Sequence, residues 1–223
     1  MSKKTAVIIG ATGLVGKALV RLLLDKDYYE KITVVTRREL SIKDNRLNVL
    51  IVKDFEKLEE YGSELNGNDF YSSLGTTRKI AGSKEAFLKV DVDYPLRFAK
   101  IAKSQTDFDQ FLAVTSLGAN SNSPLFYNIA KGRLEDELEK LELKSLKIFQ
   151  PSLLIGYRDE FRLGEEIGKF FSSLFSFFAI GSKNRLWSIR GEEVAMAMYK
   201  EAQVDRSGVI KYNPDRMIKI AYS

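Results

Sequence analysis

Short runs of β-branched and apolar residues alternate along this chain with longer stretches in which apolar positions recur every three or four residues. The short runs predict strands at Ala6–Ile9, Ile32–Thr36, Asn48–Val52, Phe70–Leu74, Phe111–Ser116 and Leu146–Gln150, with a weaker seventh near Val209–Tyr212. The early runs are continuously apolar, as expected of strands covered on both faces. Between the strands, Leu14, Ala18 and Leu22 recur with Val15, Leu19 and Leu23 beside them and Lys17, Arg21 and Asp25 opposite, which predicts an amphipathic helix. Phe87, Val90, Leu96, Ala99 and Ile101 predict a second helix over Glu85–Lys103 in spite of Pro95. Tyr127–Leu141 predicts a third, with Lys131, Glu135 and Glu139 at four-residue spacing. This alternation predicts an α/β fold, a Rossmann-like doubly wound parallel sheet. Its spacing leaves no room for a second domain, so residues 1–223 read as a single domain with a small C-terminal extension, about residues 155–223, on the substrate side.

One segment stands apart. Phe170–Ile180 holds eleven uncharged residues, five of them Phe. It is too short to span a bilayer, which takes roughly 20 residues. It reads as a helix covering the sheet or lining an apolar pocket, the alternatives being a dimer surface or a membrane-contacting patch.

The first strand runs directly into Gly10-Ala11-Thr12-Gly13-Leu14-Val15-Gly16, which opens the first helix. Strand, tight glycine loop and helix start are the context of a dinucleotide site. Gly10 can take backbone angles closed to other residues, and Gly13 lets the main chain approach a pyrophosphate at the helix N-terminal amides. Gly16 permits close packing of helix on strand. At the end of the second strand, where NAD sites usually place a carboxylate, the chain reads Thr36-Arg37-Arg38. Guanidinium groups there suit the 2′-phosphate of NADP, so NADP(H) is expected over NAD(H). The plainer alternative is two solvated arginines at a strand end.

Composition narrows the chemistry. The chain contains neither Cys nor His. Disulfides, thiolate nucleophiles, Cys/His metal sites and histidine triads are excluded, and no metal site is expected. Acid–base work near neutral pH then falls to a carboxylate, a lysine or a tyrosine. Ser116 closes the fifth predicted strand, and Tyr127-Asn128-Ile129-Ala130-Lys131 follows eleven residues later. Tyr127 and Lys131, four apart, share a helix face, so the ammonium can stabilise phenolate and draw the tyrosine pKa from about 10 toward neutrality. Ser116 can hydrogen-bond the substrate oxygen. Thr115 precedes it, which leaves open which hydroxyl faces the substrate.

Thirty-five Lys and Arg against thirty Asp and Glu give a net charge of +5. The two signs are interleaved, as in Lys53-Asp54-Phe55-Glu56-Lys57, without a basic arm or stripe, so no nucleic-acid partner is expected. The start, Met-Ser-Lys-Lys-Thr, runs straight into a strand and carries no secretory pattern, and with no transmembrane run the expected location is cytoplasmic. The expected partner is a small-molecule substrate, with the chain a monomer or homodimer.

These residues resemble the short-chain dehydrogenase/reductase superfamily in its atypical branch, and more narrowly the Tat-interacting-protein-like oxidoreductases and their bacterial relatives. The stretches that carry the resemblance are Gly10–Gly16, Ser73 to Lys79, Val90 to Tyr94, Ser116 to Ala119, Tyr127 to Gly132, Phe149 to Leu154 and Arg158 to Glu165. It implies a Rossmann fold binding NADP(H), with Tyr127 as general acid/base, Lys131 assisting it and holding the nicotinamide ribose, and Ser116 polarising a carbonyl. It also implies that Asp54, with Phe55, meets the adenine, and that Leu74-Gly75-Thr76 passes beneath the ribose and pyrophosphate. The same resemblance implies that Pro151, Ser152, Leu153 and Leu154 would approach the nicotinamide carboxamide. Many relatives have an Asn in the central helix for a proton relay, whereas this chain reads Asp91-Val92-Asp93.

Arg158 and Arg162 follow the sixth strand, where they either bind an anionic substrate group or pair with Asp159, Glu160, Glu165 and Glu166. Phe161 and the Phe-rich segment would supply an apolar wall. The combined reading is an NADPH-dependent oxidoreductase transferring hydride to a carbonyl-type acceptor. The alternative is an NADP(H)-binding sensor that acts through protein partners. A sugar-nucleotide epimerase or dehydratase ranks third, because such enzymes usually need more chain than the roughly 70 residues after Pro151.

Overall fold

The structure, a computed structural model, describes residues 3–155 and 188–223. All seven predicted runs become strands of one sheet. β1 (Lys4–Ile9), β2 (Tyr29–Thr36), β3 (Leu47–Ile51), β4 (Asp69–Ser72), β5 (Gln110–Val114) and β6 (Ser145–Phe149) lie in the order 3-2-1-4-5-6. β7 (Leu153–Ile155) and β8 (Ser188–Arg190) form a separate parallel pair. β9 (Gly208–Tyr212) extends the main sheet beyond β6, and every pairing in that sheet is parallel. Strand order reverses between β1 and β4, which opens a crevice at their carboxyl ends.

Alternate residues of each strand serve two cores. Ala6 and Ile8 face α1 (Leu14–Asp25), where Leu19 and Leu23 pack with Met198 and Met217. Val7 and Ile9 face the other way, toward Phe70, Phe98, Phe111, Leu134 and Leu138. Burial on both sides explains the continuously apolar strand runs. β6 departs from them at Lys147, which is fully buried. Its ammonium donates to Gln110 Oε1 at 2.7 Å and to the carbonyls of Glu201 at 2.6 Å and Val204 at 2.7 Å. It thereby ties the sheet to the end of α6 (Gly191–Ala202), the position along a helix where a cation is favoured.

The predicted helix over Glu85–Lys103 is segmented. α2 (Arg78–Ala81) is capped by Thr77, and α3 (Lys84–Leu88) passes through a π-helical turn, Lys89–Asp93, into α4 (Tyr94–Lys103). Pro95 supplies the reason: it has no N–H to give, and its ring crowds the carbonyl four residues back, that of Asp91. Widening that turn relieves both problems. α5 (Phe126–Glu139) follows β5.

Residues 188–223 build sheet and cover: β9 is the edge strand, α6 packs on α1, and α7 (Pro214–Tyr222) adds Met217 to the core. At the α6 start a Cβ on Gly191 would lie 3.1 Å from the Leu14 carbonyl oxygen. Arg158, Phe161, Arg162 and Phe170–Ile180 lie outside the described residues.

α1 can approach β1 because position 16 has no side chain. A Cβ there would sit 2.1 Å from the Gly10 carbonyl oxygen. Gly16→Ala is expected to lower unfolding free energy by about 1–3 kcal/mol. Gly13→Ala, whose Cβ would meet only Gly10 O at 3.5 Å, is expected to cost clearly less. Urea denaturation of the two variants checks the contrast.

Candidate active site

The glycine loop lies at the crevice. Gly10 adopts φ +86°, and a Cβ on it would strike the Ser73 carbonyl carbon at 2.5 Å, so the loop rests against the exit from β4. Gly13 N donates to Gly10 O at 3.1 Å, and Gly13 then starts α1 with no side chain capping the first turn and no acidic residue within it. Among the described residues no side chain caps the first turn, a helix start of the kind that can receive an anion. Thr12 and Gly13 are exposed, Leu14 is half-buried, and Val15 belongs to the core, so Val15 can serve a ligand only through its main chain. A dinucleotide pyrophosphate fits this loop: among the described residues beyond the adjoining backbone, Gly10 O alone comes within 4 Å of the Gly13 Cβ position.

Arg37 and Arg38 stand exposed at the end of β2, with Arg38 N donating to Thr36 Oγ1 at 3.3 Å. Phe55 is buried edge-on to Tyr94, ring centroids 5.6 Å apart. Burial and the Glu56 charge hold the Tyr94 phenol above its ordinary range, while Lys89 and Arg37 pull it down. Tyr94 therefore joins Arg37 and Phe55 at this end of the crevice. Asp54 caps the 3-10 segment Phe55–Glu64, its Oδ1 accepting from Glu56 N at 2.9 Å. One of its two oxygens is committed to that task.

The catalytic candidates meet at the carboxyl end of β5. Tyr127 and Lys131 lie one turn apart on α5, with Lys131 Nζ 6.0 Å from the phenol ring centroid. The two hydroxyls after β5 part company. Thr115 Oγ1 donates to Glu135 Oε1 at 2.6 Å, inside the protein. Ser116 Oγ is buried and makes no well-formed hydrogen bond, yet lies close enough to the Tyr127 phenol to favour its phenolate. Of the two, Ser116 is the hydroxyl that shares the Tyr127 environment. Glu135 also accepts from Gln150 Nε2 at 3.0 Å and pairs with Lys211 Nζ at 2.8 Å, pinning α5 to the ends of β5, β6 and β9.

Asp91 was not among the expected site residues as a Lys131 partner. Carried inward by the π turn, its Oδ1 stands 2.7 Å from Lys131 Nζ, and both side chains are almost wholly buried. Its Oδ2 accepts from Thr76 N at 2.8 Å. This pair changes the acid–base balance expected from the sequence. Burial pushes the Tyr127 phenol up, and the Asp91 charge opposes what Lys131 and Ser116 do to lower it, so the net displacement is upward and not toward neutrality. Burial works against the Lys131 ammonium, but Asp91, Tyr127 and Glu135 outweigh it and hold the lysine above its ordinary value.

Leu74, Gly75 and Thr76 run between these groups and the glycine loop. Leu74 packs on the core, and a Cβ on Gly75 would come within 3.7 Å of Asp91 Oδ1 and 3.8 Å of Lys131 Nζ. Across the site, Leu117 N donates to Pro151 O at 2.8 Å, which couples the Ser116 loop to Pro151. Ser152 is buried, and Leu153 and Leu154 form β7. Gly132 has a role that its place after Lys131 only hints at: a Cβ there would lie 2.2 Å from Ser121 N, so the 120–121 loop sits directly on α5. Among the described residues, no group of three or more acidic side chains could hold a metal ion.

Sheet order, glycine loop and the Ser116–Tyr127–Lys131 grouping define a Rossmann-type fold of the short-chain dehydrogenase/reductase kind. The chain belongs to the NAD dependent epimerase/dehydratase family, whose model matches residues 6–131. It is 38% identical over 186 residues to Protein HTATIP2 of Rattus norvegicus, covering 81% of this chain and 76% of that one. It is 34% identical over 194 residues to Protein FMP52, mitochondrial, of Debaryomyces hansenii, covering 86% and 84%. The fold matches that of the Bordetella bronchiseptica enzyme WbmF, solved in complex with NAD+, with a TM-score of 0.68 at 13% identity over 99% of this chain and 78% of that one. No described helix is long and apolar enough to cross a membrane. The mitochondrial label on the yeast relative stands beside the cytoplasmic location expected from sequence.

Two outcomes follow from the parting of the hydroxyls and from the upward displacement of the Tyr127 phenol. Thr115→Val, which takes a donor from buried Glu135, is expected to lose about 1–3 kcal/mol of stability, and Ser116→Ala none; thermal melts compare them. In a difference titration of tyrosinate absorbance, wild type minus Tyr127→Phe, the ionisation of Tyr127 is expected only above the ordinary tyrosine value of 10.0.

Proposed function

We propose that this protein is an oxidoreductase that prefers NADP(H) and reduces a carbonyl-type small molecule. The observation that carries this reading is the convergence of Ser116, Tyr127 and Lys131 beside a glycine loop whose helix amides no side chain caps. When bound, the reduced nicotinamide supplies hydride to the carbonyl carbon. Tyr127 Oη gives its proton to the carbonyl oxygen, so that carbon gains hydride, oxygen gains a proton and an alcohol results. A phenol held above its ordinary range is protonated at neutral pH, which suits an acid waiting for a reduction. Ser116 Oγ orients the substrate oxygen by a hydrogen bond, and the Lys131 ammonium stabilises the phenolate left behind.

Gly10 to Gly16 would receive the pyrophosphate through main-chain amides, with Leu74, Gly75 and Thr76 beneath it. Asp54, Phe55 and Tyr94 would border the adenine. Arg37 and Arg38, exposed at the end of β2, would meet a 2′-phosphate, and no carboxylate stands in the Thr36-Arg37-Arg38 segment for a 2′-hydroxyl. The NAD+ in the WbmF structure supports a dinucleotide in this type of crevice. Pro151, Ser152, Leu153 and Leu154 would border the carboxamide end, and Arg158 and Arg162 remain candidates for an anionic substrate group.

Fluorescence titration with NADPH and NADH tests the cofactor choice. Arg37→Ala with Arg38→Ala is expected to weaken NADPH binding by roughly tenfold or more while leaving NADH nearly unchanged. An unchanged NADPH/NADH affinity ratio would remove the preference. NADPH consumption over a panel of aldehydes, ketones and quinones tests the reaction. Tyr127→Phe is expected to cut turnover by about 10²–10⁴-fold with NADPH affinity kept, and full activity in that variant would end the mechanism.

A further inference from the structure

Asp91 touches both the catalytic helix and the loop after β4. It is 0% exposed, with Oδ1 on Lys131 Nζ at 2.7 Å and Oδ2 on Thr76 N at 2.8 Å. Gly75 lies beside this pair, a Cβ there coming into ordinary van der Waals contact with Asp91 Oδ1 at 3.7 Å and Lys131 Nζ at 3.8 Å. The inward placement of Asp91 follows from the π turn that Pro95 demands. Lys131 is just as confined, its side chain 3% exposed. Among the described residues, the other ionisable groups that act on it most are Tyr127 and Glu135, and Glu135 is already occupied by Thr115, Gln150 and Lys211.

We propose that Asp91 is a positioning residue that joins the cofactor loop to the catalytic lysine. Through Oδ1 it holds Lys131 in place beside Tyr127, and through Oδ2 it sets the Gly75–Thr76 segment, so the two parts of the site are held as one unit. A buried ammonium without a counter-charge sheds its proton or disturbs its surroundings. The contacts are divided between two oxygens, so an amide at position 91 could keep the Thr76 contact through its carbonyl and lose the charge. Asp91→Asn therefore separates the two tasks.

The first experiment is a melting cycle over wild type, Asp91→Asn, Lys131→Met and the double variant. Each single variant strands a buried charge, so each is expected to melt below wild type. The double variant is expected to melt above Lys131→Met, because it strands none. If Asp91→Asn alone does not fold, the double variant is expected to fold; a double variant that also fails, or additive changes around the cycle, would overturn the pairing. The second experiment, which rests on the cofactor reading, titrates wild type and Asp91→Asn with NADPH from about pH 7 to about pH 10. Without Asp91, the first proton lost from the Lys131–Tyr127 pair leaves earlier. The fall in NADPH affinity is expected to begin at least about one pH unit lower in Asp91→Asn. The shift is expected to vanish when Lys131→Met is the background. A role in packing alone would weaken binding equally at every pH, and a profile that overlays wild type would overturn the proposal. If wild type binds no NADPH, the cofactor reading fails and the melting cycle still decides the pair.

Discussion

A lysine ammonium almost wholly buried in an α/β protein must be given a counter-charge, and much of this site is arranged around that requirement. The cost of removing a charge from water is several kcal/mol even after the protein relaxes. Lys131 meets it with the carboxylate of Asp91 at 2.7 Å. Asp91 reaches that position because the helix carrying it widens by a π turn just ahead of Pro95. A backbone incompatibility between proline and the α-helix thus becomes the means of delivering an acid to the site. Tyr127 feels the result, since an ion-paired lysine lowers its pKa less than a lone one would, and burial prevails.

The glycine loop depends on close approach of a different kind. Gly16 brings α1 against the Gly10 carbonyl, and Gly10 itself presses on the exit from β4. The uncapped amides of α1 are consequently held at the switch point of the sheet, beside the Leu74–Thr76 segment and one hydrogen bond from Asp91. Loop and lysine are therefore parts of one polar assembly, although they lie more than 100 residues apart in the chain.

Glu135 supports the same helix. Two turns beyond Tyr127, it gathers Thr115, Gln150 and Lys211 and so fixes α5 to the carboxyl ends of β5, β6 and β9. Gly132, three residues before Glu135, lets the loop at Asn120 and Ser121 close on the helix. The position of Tyr127 and Lys131 is thus set by contacts from both the strands and the loop.

Strands, their parallel arrangement and the first helix were legible in the sequence because burial on both faces writes itself as continuous apolar runs, and amphipathicity as a 3.6-residue period. Gly10, Gly13 and Gly16 were legible because the backbone at those positions tolerates no side chain or leaves room for a ligand. The four-residue spacing of Tyr127 and Lys131 was local and readable for the same reason. What no local pattern carried was the partner of each polar group. Asp91 read as one acid among many, Thr115 and Ser116 as equivalent hydroxyls, and Lys147 as an interruption in a strand. Their roles are decided by which groups the fold brings together, and those partners are 11 to 57 residues away. Periodicity along a chain reports which face is buried; only the packed structure determines which buried charge meets which.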